Sequence, residues 1–389
     1  MVNPLPAVLI GGPPHAGKSV LTYNLTQALR QREIAHYVLR ANPDGEGDWS
    51  QEMNQNIVDL VRVTGKWTPD FVTRMCVDLE RRQLPLLVDA GGLPTENEIP
   101  LFRQCTHYLL LLRADPESEP VNRYWLDLVR SNTLTPLAQI YSKRDGASTI
   151  TSTAPILEGT LTGLDRGSRP IQGLLFEALV ERLYALFAPH TIEGLEQTHL
   201  GIAPTEHIVN LDTLLQEWAS QSARWEPTMI QRLLDVIPAD APLAVYGRGT
   251  NWLYGAIAAW TGVQPLHQFD SRLGWVTPPS LRFGASRSPA VRVSADMYDN
   301  TTVLTVRLAN DYLDYGEAEQ LSFPPVPAEY GLVLSGKLPY WLVTALVRLY
   351  AMAGVPWIAC YQPQLNGAVV VMSHVVSHST GDLIPIFWT

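Results

Sequence analysis

The chain has 389 residues, enough for two or three domains at ~150 residues each, and its 46% hydrophobic content against 17% charged excludes global disorder. Its net charge of −10 is spread over both halves without a basic block, which excludes a protein that coats long DNA or RNA through many phosphate contacts. The longest apolar runs, such as 109–112 and 368–372, fall far short of the ~18 residues needed to cross a membrane. Met1–Pro6 is short, uncharged and proline-containing, so no signal peptide is expected. Three scattered cysteines, Cys76, Cys105 and Cys360, fit a reduced, cytoplasmic protein.

In chain order, 7–10 predicts a strand, 19–32 a helix with Leu21, Leu25, Ala28 and Leu29 on one face, and 36–39 a second strand. A helix over 68–82 and a strand over 84–89 follow. Then come a strand at 108–113, a helix near 120–131, a strand at 137–141 and an amphipathic helix at 173–187. This alternation predicts an α/β fold in which helices cover a parallel sheet. We place this unit at 1–190 and read 191–205 as a linker.

Gly12-Pro-Pro-His-Ala-Gly17-Lys18-Ser19 is a complete G-x-x-x-x-G-K-[ST] element between a strand and a helix. In such a loop backbone N–H groups cradle phosphates, Lys18 reaches the β/γ oxygens and Ser19 ligates Mg²⁺. Asp89, ending a strand before Ala90-Gly91-Gly92, is the candidate second Mg²⁺ ligand, as in a Walker B element. The loop 43–49 carries Asp44, Glu46 and Asp48, as a general-base or metal-ligand source or as a solvated acidic turn. Ser142-Lys143-Arg144-Asp145 is similar to the guanine-selecting motif of GTPases, so ATP is the expected nucleotide and GTP the alternative.

Beyond 205 the chain repeats itself. Val245–Ala256 matches Leu334–Ala345 at a spacing of 89, aligning Gly247 with Gly336, Arg248 with Lys337 and Trp252 with Trp341. Phe269-Asp-Ser-Arg-Leu-Gly then matches Tyr361-Gln-Pro-Gln-Leu-Asn at a spacing of 92. We place the first copy at 206–285 and the second at 290–389, each reading strand, glycine loop, helix, strand, turn and strand. Two strands, 291–295 and 302–309, precede the second copy's repeat, whereas 207–238 of the first reads as helical. Glycine loops carrying Arg248 or Lys337 are candidate anion sites. Trp252 and Trp341 begin apolar helix stripes and are read as core.

Residues 290–389 resemble the small ring-nuclease proteins of type III CRISPR systems, which bind and cleave cyclic tetra-adenylate. The resemblance rests on Ser335-Gly-Lys-Leu-Pro-Tyr-Trp-Leu342, Tyr361-Gln-Pro-Gln-Leu365, Ala368–His374 and Gly381-Asp-Leu. The first copy shares it over 245–276, and an N-terminal ATPase-like domain also resembles a known arrangement. It implies a pseudo-dimer of two small α/β modules that binds cyclic tetra-adenylate through Gly247, Arg248, Gly249, Gly336 and Lys337. It also implies catalysis assisted by manganese.

The family's acid, arginine and histidine are split here. Asp270 and Arg272 stand in the first copy and His374 in the second, where Gln362 and Gln364 replace the acid and the arginine. The resemblance therefore leaves two readings. One is a composite site of Asp270, Arg272 and His374, with Asp270 and His374 as the Mn²⁺ ligands, formed across the pseudo-dimer or between molecules of a homo-oligomer. The other is a sensor that binds without cutting and answers to the P-loop unit. A P-loop small-molecule kinase with an accessory domain is a third reading. His267 and His378 are read as structural.

Overall fold

A computed structural model describes residues 5–41, 69–94, 96–164, 170–218, 224–285, 288–308 and 313–385. The acidic loop 43–49 lies outside them. Two units separate: Met1–His199 with Ser271–Gly274, and Leu200–Asp270 with Trp275–Thr389.

In the first unit every residue of Ala7–Gly11 (β1) is buried, as an all-apolar run in a sheet covered on both faces must be. After it come Lys18–Gln31 (α1), Tyr37–Ala41 (β2), Pro69–Glu80 (α2), Leu86–Ala90 (β3) and Ile99–Arg103 (α3). Next are His107–Arg113 (β4), Glu119–Ser131 (α4), Thr135–Ser142 (β5), Thr149–Ser152 (β6), Leu157–Leu161 (β7) and Leu174–Phe187 (α5). The sheet order is β2-β3-β1-β4-β5-β7-β6, parallel except that β6 runs antiparallel to β7. Leu21, Leu25 and Leu29 of α1 and Leu175, Leu179 and Leu183 of α5 are buried on this sheet. The β6–β7 hairpin was not foreseen, because Thr149-Ile-Thr-Ser is a mostly exposed edge without an apolar face. The stretch read as a linker instead carries a helix, Ile192–Gly201 (α6). Its Leu195 and His199, four apart, are buried on one face, and His199 Nε2 lies 3.0 Å from the Gln83 carbonyl.

In the second unit Ile208–Asn210 (β8), Leu211–Trp218 (α7), Ile230–Val236 (α8), Leu243–Tyr246 (β9), Asn251–Thr261 (α9), Leu266–Asp270 (β10) and Gly274–Val276 (β11) form the first copy. Arg282–Phe283 (β12) follows, and Val291–Tyr298 (β13), Thr301–Leu308 (β14), Ser322–Phe323 (β15), Gly331–Ser335 (β16), Tyr340–Met352 (α10), Trp357–Gln362 (β17), Gly367–Ser373 (β18) and Leu383–Pro385 (β19) complete the second. The sheets run β11-β10-β9-β8 and β13-β14-β16-β17-β18-β19, and β12 pairs with β15. Inside 207–238, read as helical, the short strand β8 pairs in parallel with β9 as β14 does with β16. The registers correspond: Ile208 stands opposite Ala244, and Val303 opposite Val333, 89 residues on.

Helices α9 and α10 lie side by side with their N-termini together. Asn251 Nδ2 donates to the Leu338 carbonyl at 3.1 Å, and Tyr254 stacks on Tyr340 at 4.6 Å. Gln268 Nε2 donates to Thr344 Oγ1 at 2.6 Å, and a Cβ on Gly255 would stand 3.3 Å from Cys360 Sγ. Thr344 is the repeat partner of Gly255 and Cys360 that of Gln268, so one contact occurs twice with the copies exchanged. Trp252 and Trp341 are 1% and 0% exposed, as core residues are.

Candidate functional site

In the first unit, the loop after β1 is shaped by sterics. Gly12 has φ +145°, and a Cβ there would fall 1.9 Å from the Leu111 carbonyl oxygen. Gly17 is left-handed at φ +94° and meets α1 at its N-terminus. Lys18 is buried and its Nζ donates to the Gly12 and Pro13 carbonyls, each at 2.9 Å. Asp89 stands beside Ile10 in the parallel register of β3 and β1. That register puts its Oδ2 within 3.2 Å of Ser19 Oγ. The structure thus brings Ser19 to Asp89, and Lys18 back onto the Gly12 and Pro13 carbonyls. Ser19 and Asp89 offer adjacent oxygens, the donor chemistry Mg²⁺ takes, so these residues fit that ion.

A cavity of about 520 Å³ opens next to the loop, lined among others by His15, Ala16, Arg113, Asp115, Lys143 and Arg144. Asp145, which guanine selection would need, is exposed and is not in its lining. Asp115 holds Arg113 Nε at 2.8 Å. Its carboxyl is held below the ordinary range, chiefly because the Ser118 hydroxyl donates to it, with Arg113 adding to the effect. Arg113 and Asp115 were missed in the sequence, since no spacing rule links them to the loop, whereas His15 fills one of the loop's unspecified positions.

In the second unit, the glycine loops follow β9 and β16, and both need glycine. Gly247 has φ +97°, and Gly336 has φ +145° with a would-be Cβ 2.1 Å from the Val306 carbonyl oxygen. Beyond this the loops differ. Arg248 N–H donates to Asp212 Oδ1 at 3.0 Å, Tyr254 Oη donates to the Gly247 carbonyl at 2.9 Å and Trp225 Nε1 to the Arg248 carbonyl at 3.1 Å. Burial, followed by Tyr340, Asp212 and Asp270, raises the Tyr254 phenol well above its ordinary pKa. Gly249 is packed against Leu211 and Tyr254. Gly336 and Lys337 are exposed.

Within the second unit Asp270 and His374, both read as catalytic, lie at opposite ends of the strands. Asp270 ends β10, at the same end as the glycine loops. His374 follows β18, and its N–H donates to the Pro356 carbonyl, just before β17 begins. The antiparallel β17–β18 ladder, Trp357 opposite Ser373 and Gln362 opposite Gly367, therefore sets His374 a strand length of ~20 Å from the loop end. Arg272 belongs to the first unit, where its Nε lies 3.6 Å from Asp78 Oδ2. Gln362 and Gln364, in place of the acid and the arginine, hydrogen-bond each other. Among the described residues no group of three or more His, Cys, Asp or Glu converges to hold a metal. Asp270 and His374 of one chain do not fit a shared Mn²⁺. His378 packs edge-on against Trp357, and burial lowers the pKa of His267.

A family profile described as CRISPR-associated protein (Cas_csx3) matches residues 307–385, from the end of β14 through β19. This segment is a CRISPR-associated domain and contains Gly336, Lys337 and His374. The search of curated proteins returned no match. Among the described residues no helix is long and apolar enough to cross a membrane.

Proposed function

We propose that this chain binds cyclic tetra-adenylate in type III CRISPR signalling through its duplicated module and couples that binding to a P-loop NTPase unit. The observation that carries the reading is the family match over 307–385. It spans an exposed glycine-lysine loop that closes a parallel strand and opens helix α10. Backbone N–H groups and a lysine at such a place bind phosphodiester oxygens. The contacts shared by α9 and α10 support a pseudo-dimer.

In the P-loop unit the loop amides and Lys18 bind the β- and γ-phosphates of ATP. Ser19 and Asp89 would hold Mg²⁺, which when bound would supply positive charge to offset that on the phosphoryl oxygens. The cavity beside His15 and Arg113 takes the rest of the nucleotide.

Cleavage, in this reading, belongs to a homo-oligomer in which the Asp270 end of one chain meets the His374 end of another. The separation of these ends within one chain supports that arrangement. Purified chain is incubated with cyclic tetra-adenylate and Mn²⁺, with and without ATP, and the products are separated. The native chain cuts, Asp270→Ala and His374→Ala do not, and an equal mixture of the two recovers part of the activity. A mixture as inactive as its components overturns the intermolecular site. Binding without cleavage by the native chain leaves the sensor reading, which Gln362 and Gln364 favour. Loss of both overturns the ligand.

A further inference from the structure

At the glycine loops the two copies differ in charge position by position. Ile208 and Val303 hold the same place in their ladders, and four residues on stand Asp212 in the first copy and Arg307 in the second. The same peptide unit faces the glycine in both: a Cβ on Gly247 would meet Asp212 N at 2.8 Å, and one on Gly336 the Val306 carbonyl. Asn210 fixes Asp212, its Oδ1 accepting from the Asp212 and Thr213 amides at 3.1 and 3.3 Å. The repeat partner of Asp270 is the uncharged Gln362. The first loop end therefore holds two carboxylates with Arg248, and the second two basic residues, Arg307 and Lys337.

We propose that Asp212 is a resident anion. Its carboxylate takes the Arg248 amide that a phosphate oxygen would take, so the module offers one open anion loop, at Gly336 and Lys337, where its repeat would offer two. An amide N–H given to a carboxylate makes a charge-assisted bond, and a phosphodiester arriving there meets that charge at close range. The pseudo-two-fold of the module is thereby broken, and a phosphodiester ligand is held from one side. The proposal rests on reading the glycine loops as phosphate sites.

The test uses the full chain and has two arms. In ligand-free protein, exchange of the Arg248 amide is compared among the native chain, Asp212→Ala and Asp212→Asn. We expect about ten-fold faster exchange in the alanine variant. The asparagine variant keeps an oxygen acceptor, and it keeps part of the protection. In titrations with cyclic tetra-adenylate, Asp212→Ala binds about five-fold tighter than native. Adding Arg248→Ala to that variant keeps part of the gain, because the amide that Asp212 releases belongs to the backbone. Equal exchange in all three proteins overturns the proposal, as does altered exchange with unaltered affinity. If no variant binds the cyclic nucleotide, the ligand named under Proposed function is wrong, and the exchange arm alone decides the role of Asp212.

Discussion

Where their helices cross, the two copies of the module are nearly interchangeable, and where their loops open they are not. The Gln268–Thr344 hydrogen bond and the Gly255–Cys360 approach occupy equivalent places, and Trp252 and Trp341 fill equivalent core sites. At the loop end one copy has Asp212, Arg248 and Asp270, with Asp212 on the Arg248 amide, while Arg307, Lys337 and Gln362 take the corresponding positions in the other. The core is constrained by packing, in which a change on one side strains the other. At the loop end the glycines are held by close backbone approaches, but the charged positions beside them are exposed or half-buried, and there the copies differ in charge.

The largest effects should fall on both copies alike. Trp252→Ala and Trp341→Ala each cost about 3–5 kcal/mol in urea unfolding, because each empties a fully buried site. Costs that differ by more than about 2 kcal/mol would break the equivalence of the cores. The glycine loops should separate the copies. Gly336→Ala costs about 3 kcal/mol, since its Cβ would lie 2.1 Å from a backbone oxygen, and Gly247→Ala about 1–2 kcal/mol, where the approach is 2.8 Å. Equal losses would show that the first loop is as tightly built as the second. Thr344→Val leaves Gln268 Nε2 without this acceptor and costs about 1–2 kcal/mol by the same measurement. Its counterpart Gly255→Ala changes stability by under about 0.5 kcal/mol, the gain in helix propensity offsetting the tight approach to Cys360. A smaller effect concerns Cys360 itself, whose thiol is pushed up to about 12 by burial. Alkylation of the folded chain at pH 8 spares Cys360 and reaches the half-buried Cys76 first. Rapid labelling of Cys360 would show that the interface between the copies opens.

Much of the first unit was legible because its strands are short apolar runs and its helices carry one apolar face. The strand read at 84–89 is β3 at Leu86–Ala90, and the helix read at 173–187 is α5 at Leu174–Phe187. The loop from Gly12 to Ser19 was legible from its spacing, and its meeting with Asp89 from the strand that carries each. The β6–β7 hairpin and β8 were not, because an exposed polar edge and a three-residue strand leave no periodic signal. Asp212 was out of reach for the same reason: its meaning lies in a ladder register and a tertiary hydrogen bond. Arg272 and His374 were legible as members of a pattern. The pattern says nothing of strand direction, and the β17–β18 ladder sets His374 a strand length away from the end where Asp270 lies.

The claim that the second copy carries the open anion loop is tested most directly by titrating cyclic tetra-adenylate into two single variants of the otherwise native chain. Lys337→Ala weakens binding about ten-fold or more, and Arg248→Ala leaves it within about two-fold. Equal losses in the two, or a loss confined to Arg248→Ala, would contradict the account.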